Sequence, residues 1–244
     1  MPATRREAII ERLGVTPPVS TLVRGALDAA IANAEAHSAP SGSPRRISAL
    51  DAGCGHTSQL RPFRARIGRL VGADIHAPTS PLSEFDEFAE LDLCQAGVGF
   101  APATFDVILS SFTLEHFAEP RAALANMHDW LVPGGTLVAT TVNRRHPFVA
   151  AYLWLPTSVR RRLQRVVKRS TEDAHPLVGA CNDPEAVAAA LDAAGFRDVR
   201  LDTVGHLARA WGRTWPTFLV GLVGDLLALG FPSRRSTIVA VARA

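Results

Sequence analysis

The chain has 244 residues, of which 47% are apolar and 20% are charged, so it can bury a sizeable core. A net charge of +3 lacks the strong basic bias of dedicated nucleic-acid binders, and we expect no nucleic-acid partner. The three cysteines form neither a disulfide framework nor a metal-ligand pattern, which indicates a cytoplasmic protein without a bound metal. The N-terminus lacks an apolar signal segment, and the apolar stretch 218–231 is too short to span a bilayer.

The N-terminal segment, 1–46, has a helical pattern followed by a linker. Apolar residues recur at spacings of three and four between Val19 and Ile31, which predicts a helix with one buried face. Residues 37–46 (HSAPSGSPRR) are rich in Pro, Ser and Gly and predict a connecting segment. We therefore expect this segment to precede a separate domain that extends from residue 47 to residue 244.

Strand and helix patterns alternate through that domain. Helices are predicted at 120–131 and 184–194, and Asp183 followed by Pro184 is a start signal for the second. Such alternation predicts an α/β fold, with a mostly parallel sheet covered by helices on both faces. Strand-like runs lie at 47–52, 70–74, 88–92, 105–110, 136–142, 196–204 and 237–242.

Two long segments, at about 146–182 and 205–235, do not fit this alternation. Both follow predicted strands, and both contain helical patterns of their own. Insertions of this length in such places commonly build lids or substrate pockets. We expect them to be helical insertions that form a cap.

The run ISALDAGCG, which begins at Ile47, carries the strongest chemical signal. A strand leads into Asp51 and then into a turn with Gly53 and Gly55, at the end of a strand where α/β sheets bind ligands. The two glycines permit a tight turn and the close approach of a ligand to the backbone. A carboxylate at this position repels a pyrophosphate and attracts the ammonium group of an amino-acid cofactor.

Two further carboxylates lie at later predicted strand ends. Asp74 ends the run VGAD, a position that suits an acceptor for two ribose hydroxyls, although an exposed loop residue is the alternative. Asp92, in the run LDL, is placed to accept an adenine amino group while its apolar neighbours pack the ring.

Taken in order, the runs LDAGCG, VGAD, LDL, FDVILSSFTLEH and LVPGGTLVATTVN resemble the class I S-adenosylmethionine-dependent methyltransferases, specifically the methyltransferase type 11 group. The likeness is close over 47–143 and looser over 183–204 and 237–244. It implies a Rossmann-like, doubly wound, seven-stranded sheet that is mostly parallel with its last strand antiparallel. It also implies S-adenosyl-L-methionine as cofactor and a small-molecule methyl acceptor.

The resemblance further implies which residues hold each part of the cofactor. Thr57 stands where the family usually has a third glycine, a departure that bears on the shape of this loop. The implied contacts are Asp51, Gly53, Cys54 and Gly55 for the methionine part, Asp74 with Ile75 beside it for the ribose, Asp92 and Leu93 for the adenine, and Ser110 at the end of the fourth strand.

Methyl transfer from a sulfonium needs mainly alignment, and it needs a base only where the acceptor must lose a proton. His116, in the run LEH, is the candidate catalytic base, with a packing residue as the alternative. His146 and His175 are further candidates, although an ordinary surface histidine is the expected state of each.

Two segments raise the question of a membrane. Residues 157–169 have a basic face and an apolar face, typical of a surface helix or of a membrane-surface helix. Residues 211–231 are apolar and contain Trp211 and Trp215, which fits peripheral membrane contact, a pocket for an apolar acceptor, a dimer interface or plain core. The oligomeric state stays open.

Two other classes of protein compete with a methyltransferase. An NAD(P)-dependent oxidoreductase would need glycine at position 58 to complete Gly-x-Gly-x-x-Gly, and the chain has Ser58 there. A non-catalytic subunit that binds the cofactor, or has lost it, is the second alternative, and Thr57 is the feature that points to it.

Overall fold

The computed structural model of the chain describes residues 5–38, 46–55, 58–77, 83–160, 162 and 181–244. Thr57, His175 and most of the basic segment 157–169, namely 161 and 163–169, lie outside these residues, so what was expected of them stays a prediction. Seven strands form one sheet: β1 (Ile47–Ala52), β2 (Ile67–Asp74), β3 (Glu87–Glu90), β4 (Phe105–Ser111), β5 (Leu131–Val142), β6 (Arg197–Val204) and β7 (Thr237–Arg243).

The helices flank this sheet and follow its strands. The longer ones begin at residues that favour a helix start: α3 and α5 both have proline in the first turn, and Asp183 caps α5 by accepting the N–H of Ala186 at 2.9 Å. The helices are α1 (Arg5–Arg12), α2 (Val19–Ser38), α3 (Pro120–Trp130), α4 (Pro147–Trp154), α5 (Pro184–Ala193), α6 (Leu207–Ala210) and α7 (Trp215–Leu227).

The strand order is β3-β2-β1-β4-β5-β7-β6. The pairs from β3 through β5 are parallel, and β7 is antiparallel to both of its neighbours. The prediction of a seven-stranded, mostly parallel sheet with its last strand antiparallel is therefore confirmed. Because the chain crosses from β3 to β4 on the other side of β1, the sheet has a switch point between β1 and β4, where open α/β sheets bind ligands.

Alternating side chains of the strands point into two hydrophobic cores, one on each face of the sheet. Ala49 and the strand side chains on the same face of the sheet pack under α2, and this packing buries the apolar helix face predicted between Val19 and Ile31. Leu50 and the strand side chains on the opposite face pack under α3 and α5. The sheet is thus covered on both faces, as the sequence predicts.

Strand β5 begins earlier than the sequence indicates. Pro133-Gly134-Gly135 was expected to separate a helix from a strand starting at 136, but the strand already starts at Leu131. The reason is pairing with the C-terminus: the N–H of Gly134 donates to the carbonyl of Ala244 at 2.9 Å, and the N–H of Ala244 donates to Gly135 at 3.0 Å. The strand accommodates its extra residues by a register shift opposite Phe105 and Val107.

Helices α1, α6 and α7 pack together into a unit that we call the helical cap. Ile10 of α1 is buried against Phe218 and Leu222 of α7. Arg209 of α6 donates to both carboxylate oxygens of Glu7, and its side chain is only 11% exposed. The N-terminal helix and the insertion 205–235 therefore pack against each other, although the sequence analysis assigned them to different parts of the chain.

Candidate functional site

The site lies at the carboxyl edge of the sheet. Strands β1, β2, β4 and β5 all end there, and β6 runs parallel to them, so the segments after these strands meet at one edge. The antiparallel β7 begins at the same edge. The residues that the sequence singles out after the first four strands are therefore brought to the same side of the molecule.

The Gly-x-Gly turn after β1 has a shape that only glycine fits well. Gly53 has φ +78°, and a Cβ atom there would lie 2.3 Å from a side-chain carbon of Thr113, which follows β4. Gly55 has φ +53°, and its N–H donates to the carboxylate of Asp74 at 2.9 Å. The turn is therefore held between the ends of β2 and β4, with its backbone close to both.

Asp51 is a buried carboxylate at the end of β1, with 2% of its surface exposed. Its pKa is raised to about 7: burial is the main cause, the nearby Glu84 and Asp74 carboxylates add to the rise, and a hydrogen bond from the Ser58 hydroxyl opposes it. Among the described residues, no cationic side chain contributes to this shift. The described part of the site therefore gathers carboxylates without a described cationic side chain to neutralise them.

The ribose and adenine candidates follow the next two strands. Asp74 ends β2, where one carboxylate oxygen accepts the N–H of Gly55 and the other accepts the N–H of His76 at 3.4 Å. Ile75 beside it is 48% exposed. Asp92 follows β3 and accepts the N–H of Cys94 at 2.9 Å, whereas Leu93 is buried against the core. Acidic and apolar surfaces thus adjoin along this edge.

Ser110 lies within β4, next to the end of β1 in the sheet register, since Asp51 pairs with Leu109. It is fully buried, and within the described part of the chain its hydroxyl has no hydrogen-bond partner. The following residue, Ser111, accepts a hydrogen bond from the Gln59 amide at 2.7 Å. This bond ties the loop after the Gly-x-Gly turn to the end of β4.

Cys54 lies in the turn itself. Its thiol is buried, and burial together with the Asp51 and Asp74 carboxylates raises its pKa far above the usual range. A thiol that stays protonated is a poor nucleophile. The thiol lies against Gly72 of β2, and the assignment of Cys54 to the cofactor site stays a prediction.

The histidines occupy different environments. His116 is half-buried in a 3-10 turn after β4, and its N–H donates to the carbonyl of Thr113 at 2.9 Å. His146, expected at the surface, is instead fully buried: its Nδ1 accepts the N–H of Phe148, and its Nε2 donates to the carbonyl of Gly224 at 3.1 Å. With both nitrogens used to join α4 to α7, His146 is a structural residue.

His206 lies beside the end of β4, a position that the sequence reasoning did not single out. Its ring stacks on Phe112, which follows β4, with ring centroids 5.7 Å apart and planes 25° apart. Burial, assisted by the positive charge of Arg209, lowers the pKa of His206 to about 4, so the imidazole is neutral at pH 7. No sequence motif marks it, because it lies in the insertion after β6 and comes next to Phe112 only in the folded chain.

The residues present fit a cationic amino-acid cofactor. Three features adjoin the end of β1: the turn that a Cβ would fill, and, counting only described partners, a buried carboxylate without a cation and a Ser110 hydroxyl without a hydrogen bond. Among the described residues, no three His, Cys, Asp or Glu side chains are arranged so that they could hold a metal ion together. A pyrophosphate would meet three carboxylates here and be repelled.

Comparison with known families agrees with this fold and site. A family described as "Methyltransferase domain" matches residues 24–201, well over half of the chain. The chain belongs to this family, and with it to the class I S-adenosylmethionine-dependent methyltransferases that the motifs between 47 and 143 resemble. S-adenosylmethionine is the cofactor of this family.

Relatives add detail over part of the chain. The "Ubiquinone biosynthesis O-methyltransferase" of Ruegeria pomeroyi is 36% identical over 107 residues, which cover 39% of this chain and 41% of that protein. The chain thus spans about two fifths of the length of the first curated relatives it matches.

Solved structures share the fold at low identity. An S-adenosylmethionine-dependent methyltransferase from Mesorhizobium loti has a TM-score of 0.52 at 16% identity, with 82% of this chain and 91% of that chain covered. A Haemonchus contortus phosphoethanolamine N-methyltransferase, solved with S-adenosylhomocysteine, has a TM-score of 0.52 at 14% identity, with 99% and 60% covered.

Proposed function

We propose that the chain transfers a methyl group from S-adenosylmethionine to a hydroxyl oxygen of a small, apolar molecule. The observation that carries the proposal is the buried, uncompensated Asp51 beside the Gly53–Gly55 turn, because it suits a cofactor with positive charge. The choice of oxygen is supported by the relatives named as ubiquinone biosynthesis O-methyltransferases, which match this chain over part of its length.

In this proposal the chain's own residues orient the cofactor. Asp51, kept in place by Ser58, holds the ammonium group, directly or through water. The backbone of the Gly53–Gly55 turn lies against the methionine part. Asp74 accepts the ribose hydroxyls, with Ile75 beside them, and the pair Asp92 and Leu93 holds the adenine.

S-adenosylmethionine supplies a methyl group already activated on a sulfonium, so the protein's task is alignment. Holding two reactants in line can lower a barrier by roughly 7–11 kcal/mol. The end of β4 faces the turn, because Thr113 packs against Gly53. We infer that the acceptor lies here, between the turn and the helical cap.

Two histidines near the end of β4 are candidates for the residue that takes the acceptor's proton. His116 follows β4 in the chain, and His206 stacks on Phe112 from the insertion after β6. A positioned base adds about 10²–10⁴-fold to a rate. A low pKa makes His206 a weaker base than an ordinary histidine, and its neutral ring suits a hydrogen bond from an acceptor hydroxyl.

Methyl transfer from radiolabelled S-adenosylmethionine to catechols tests the proposal. One catechol carries an apolar tail and its matched control does not. We expect label in the extracted product, mass spectrometry that places one methyl on oxygen, and faster turnover of the tailed acceptor. Tight cofactor binding without transfer to any hydroxyl, amine or carbon acceptor would favour a non-catalytic subunit instead.

A further inference from the structure

The outward side of α7 is apolar along its whole length. We call this surface the α7 face. Its members are Trp215, Leu219, Val220, Val223 and Leu227 of the helix and Phe231 just after it, and they are 44% to 59% exposed. These six are more than half of the eleven large apolar side chains that are exposed among the described residues. A contiguous patch of this kind on a protein surface marks an interaction site.

The helix is inverted relative to an ordinary surface helix, because its one charged residue points inward. Asp225 is 2% exposed, and its carboxylate accepts the N–H groups of Leu207 at 3.2 Å and Ala208 at 2.9 Å. An ordinary surface helix places charge outside and apolar residues inside. Core packing therefore does not account for the apolar residues of the α7 face, because they lie on the side of the helix that is turned away from the core.

The inner side of α7 is filled by close contacts that fix its rotation. A Cβ atom at Gly221 would lie 2.6 Å from the carbonyl oxygen of Leu207, and Phe218 is fully buried in the helical cap. The helix therefore cannot turn its apolar side into the protein without losing both this packing and the Asp225 hydrogen bonds. The α7 face stays outside.

Arginines flank both ends of the α7 face. Arg6 lies over the Trp215 ring at 4.9 Å, and Arg234 lies over the Phe231 ring at 5.6 Å. Between residues 205 and 235 the sequence has one acidic residue, the buried Asp225, and four arginines, of which Arg209 is already paired with Glu7; the other three are Arg213, Arg234 and Arg235. The surface around the α7 face thus presents positive charge without exposed carboxylates from this segment.

We propose that the α7 face docks onto the surface of an anionic lipid bilayer. An apolar helix face with a terminal tryptophan and flanking arginines suits the interface, where the apolar side enters the acyl boundary and the arginines meet lipid phosphates. A second copy fits less well, since two such faces would bring like charges together. The docking does not depend on which acceptor is methylated.

Vesicle co-sedimentation tests this proposal. One vesicle preparation is phosphatidylcholine alone, and the other contains phosphatidylglycerol as one third of the lipid. We expect the protein to pellet with the second preparation and to be released by high salt. The double variant Leu219→Glu with Val223→Glu should lose at least tenfold in vesicle affinity, whereas Val98→Glu, at an exposed apolar position outside the α7 face, should retain it.

Three further measurements keep the outcome unambiguous. Calorimetric binding of S-adenosylmethionine should be the same in both variants as in the unmodified protein, which checks that they fold. The pair Arg213→Gln with Arg234→Gln should lose the preference for phosphatidylglycerol. No pelleting of the unmodified protein with either vesicle overturns the proposal, and so does light scattering that finds a dimer which the double variant dissociates without any vesicle binding.

Discussion

The side-chain hydroxyl of Ser58 donates a hydrogen bond to the buried carboxylate of Asp51, and the N–H of Leu60 donates to the same hydroxyl at 3.0 Å. Ser58 occupies the position where a dinucleotide-binding loop would have its last glycine. The chain instead uses this position to orient a carboxylate. A serine that would interrupt a pyrophosphate-binding loop is thus the residue that holds the buried carboxylate.

The pKa of Asp51, raised to about 7, predicts that cofactor affinity depends on pH. The ammonium group needs the ionised carboxylate, so affinity should rise with pH and level off above about pH 7. At pH 6 we expect roughly tenfold weaker binding than at the plateau. Calorimetry across this range measures it, and Asp51→Asn should bind weakly with no such slope; an equal slope in Asp51→Asn would assign the pH dependence elsewhere.

The same raised pKa predicts a cost in stability. Below about pH 4 the carboxyl is protonated in the folded and unfolded states alike, and as pH rises towards 7 only the unfolded chain ionises, so the free energy of unfolding falls. A raise of about three pKa units corresponds to at most about 4 kcal/mol. Without cofactor, Asp51→Asn should therefore be more stable than the unmodified protein above pH 7. The prediction would be contradicted if the difference in urea midpoint between Asp51→Asn and the unmodified protein were the same at pH 8 as at pH 4.

Loss of the Ser58 hydroxyl should move the pH midpoint of cofactor binding upward. The hydrogen bond from Ser58 lowers the pKa of Asp51, so Ser58→Ala should leave the carboxylate harder to ionise. Ser58→Thr keeps a hydroxyl and should restore the original midpoint. An unchanged midpoint in Ser58→Ala would mean that Ser58 does not control this carboxylate.

Gly53→Ala should abolish cofactor binding or unfold the turn. An added Cβ would lie 2.3 Å from Thr113, and the positive φ would be strained in addition. Gly25→Ala is the matched control, because nothing lies within 4 Å of its Cβ position in the middle of α2. It should bind normally and gain about 0.5–1 kcal/mol of stability. Normal affinity in Gly53→Ala would remove the turn from the site.

Arg209→Ala should destabilise the helical cap by about 2–3 kcal/mol, because it leaves Glu7 and the carbonyl of Thr16 without their shared donor in a half-buried place. Arg145→Ala removes an exposed partner of Glu185 and should cost less than about 1 kcal/mol. Urea unfolding of both variants makes the comparison. Equal costs would indicate that the N-terminal helix is not held by this ion pair.

The parts of the fold that depend on local pattern could be predicted from the sequence. The apolar spacing between Val19 and Ile31 fixed α2, and Asp183 with Pro184 fixed the start of α5, because caps and periodicity act within a few residues. The start of β5 could not, since Leu131–Gly135 are extended only through pairing with the chain's last residue.

The described residues contain no helix both long enough and apolar enough to cross a membrane.

The site divides in the same way. The positions of Asp51, Gly53 and Asp74 at strand ends could be predicted because each belongs to a recognisable run of residues, whereas their roles stay a prediction. His206 and the burial of His146 depend on contacts between segments 78 or more residues apart. Such contacts follow from the sheet order and from the packing of α7, neither of which leaves a periodic signal in the sequence.

The most direct test is calorimetric titration of the purified protein with S-adenosylmethionine and S-adenosylhomocysteine, with NADH as the control ligand, repeated with Asp74→Asn. We expect saturable binding of the first two ligands, none of NADH, and a loss of about 10- to 100-fold in the variant, as for a hydrogen bond to a charged group. Binding of NADH in preference to the sulfonium pair, or equal affinity in Asp74→Asn, would contradict this assignment of the site.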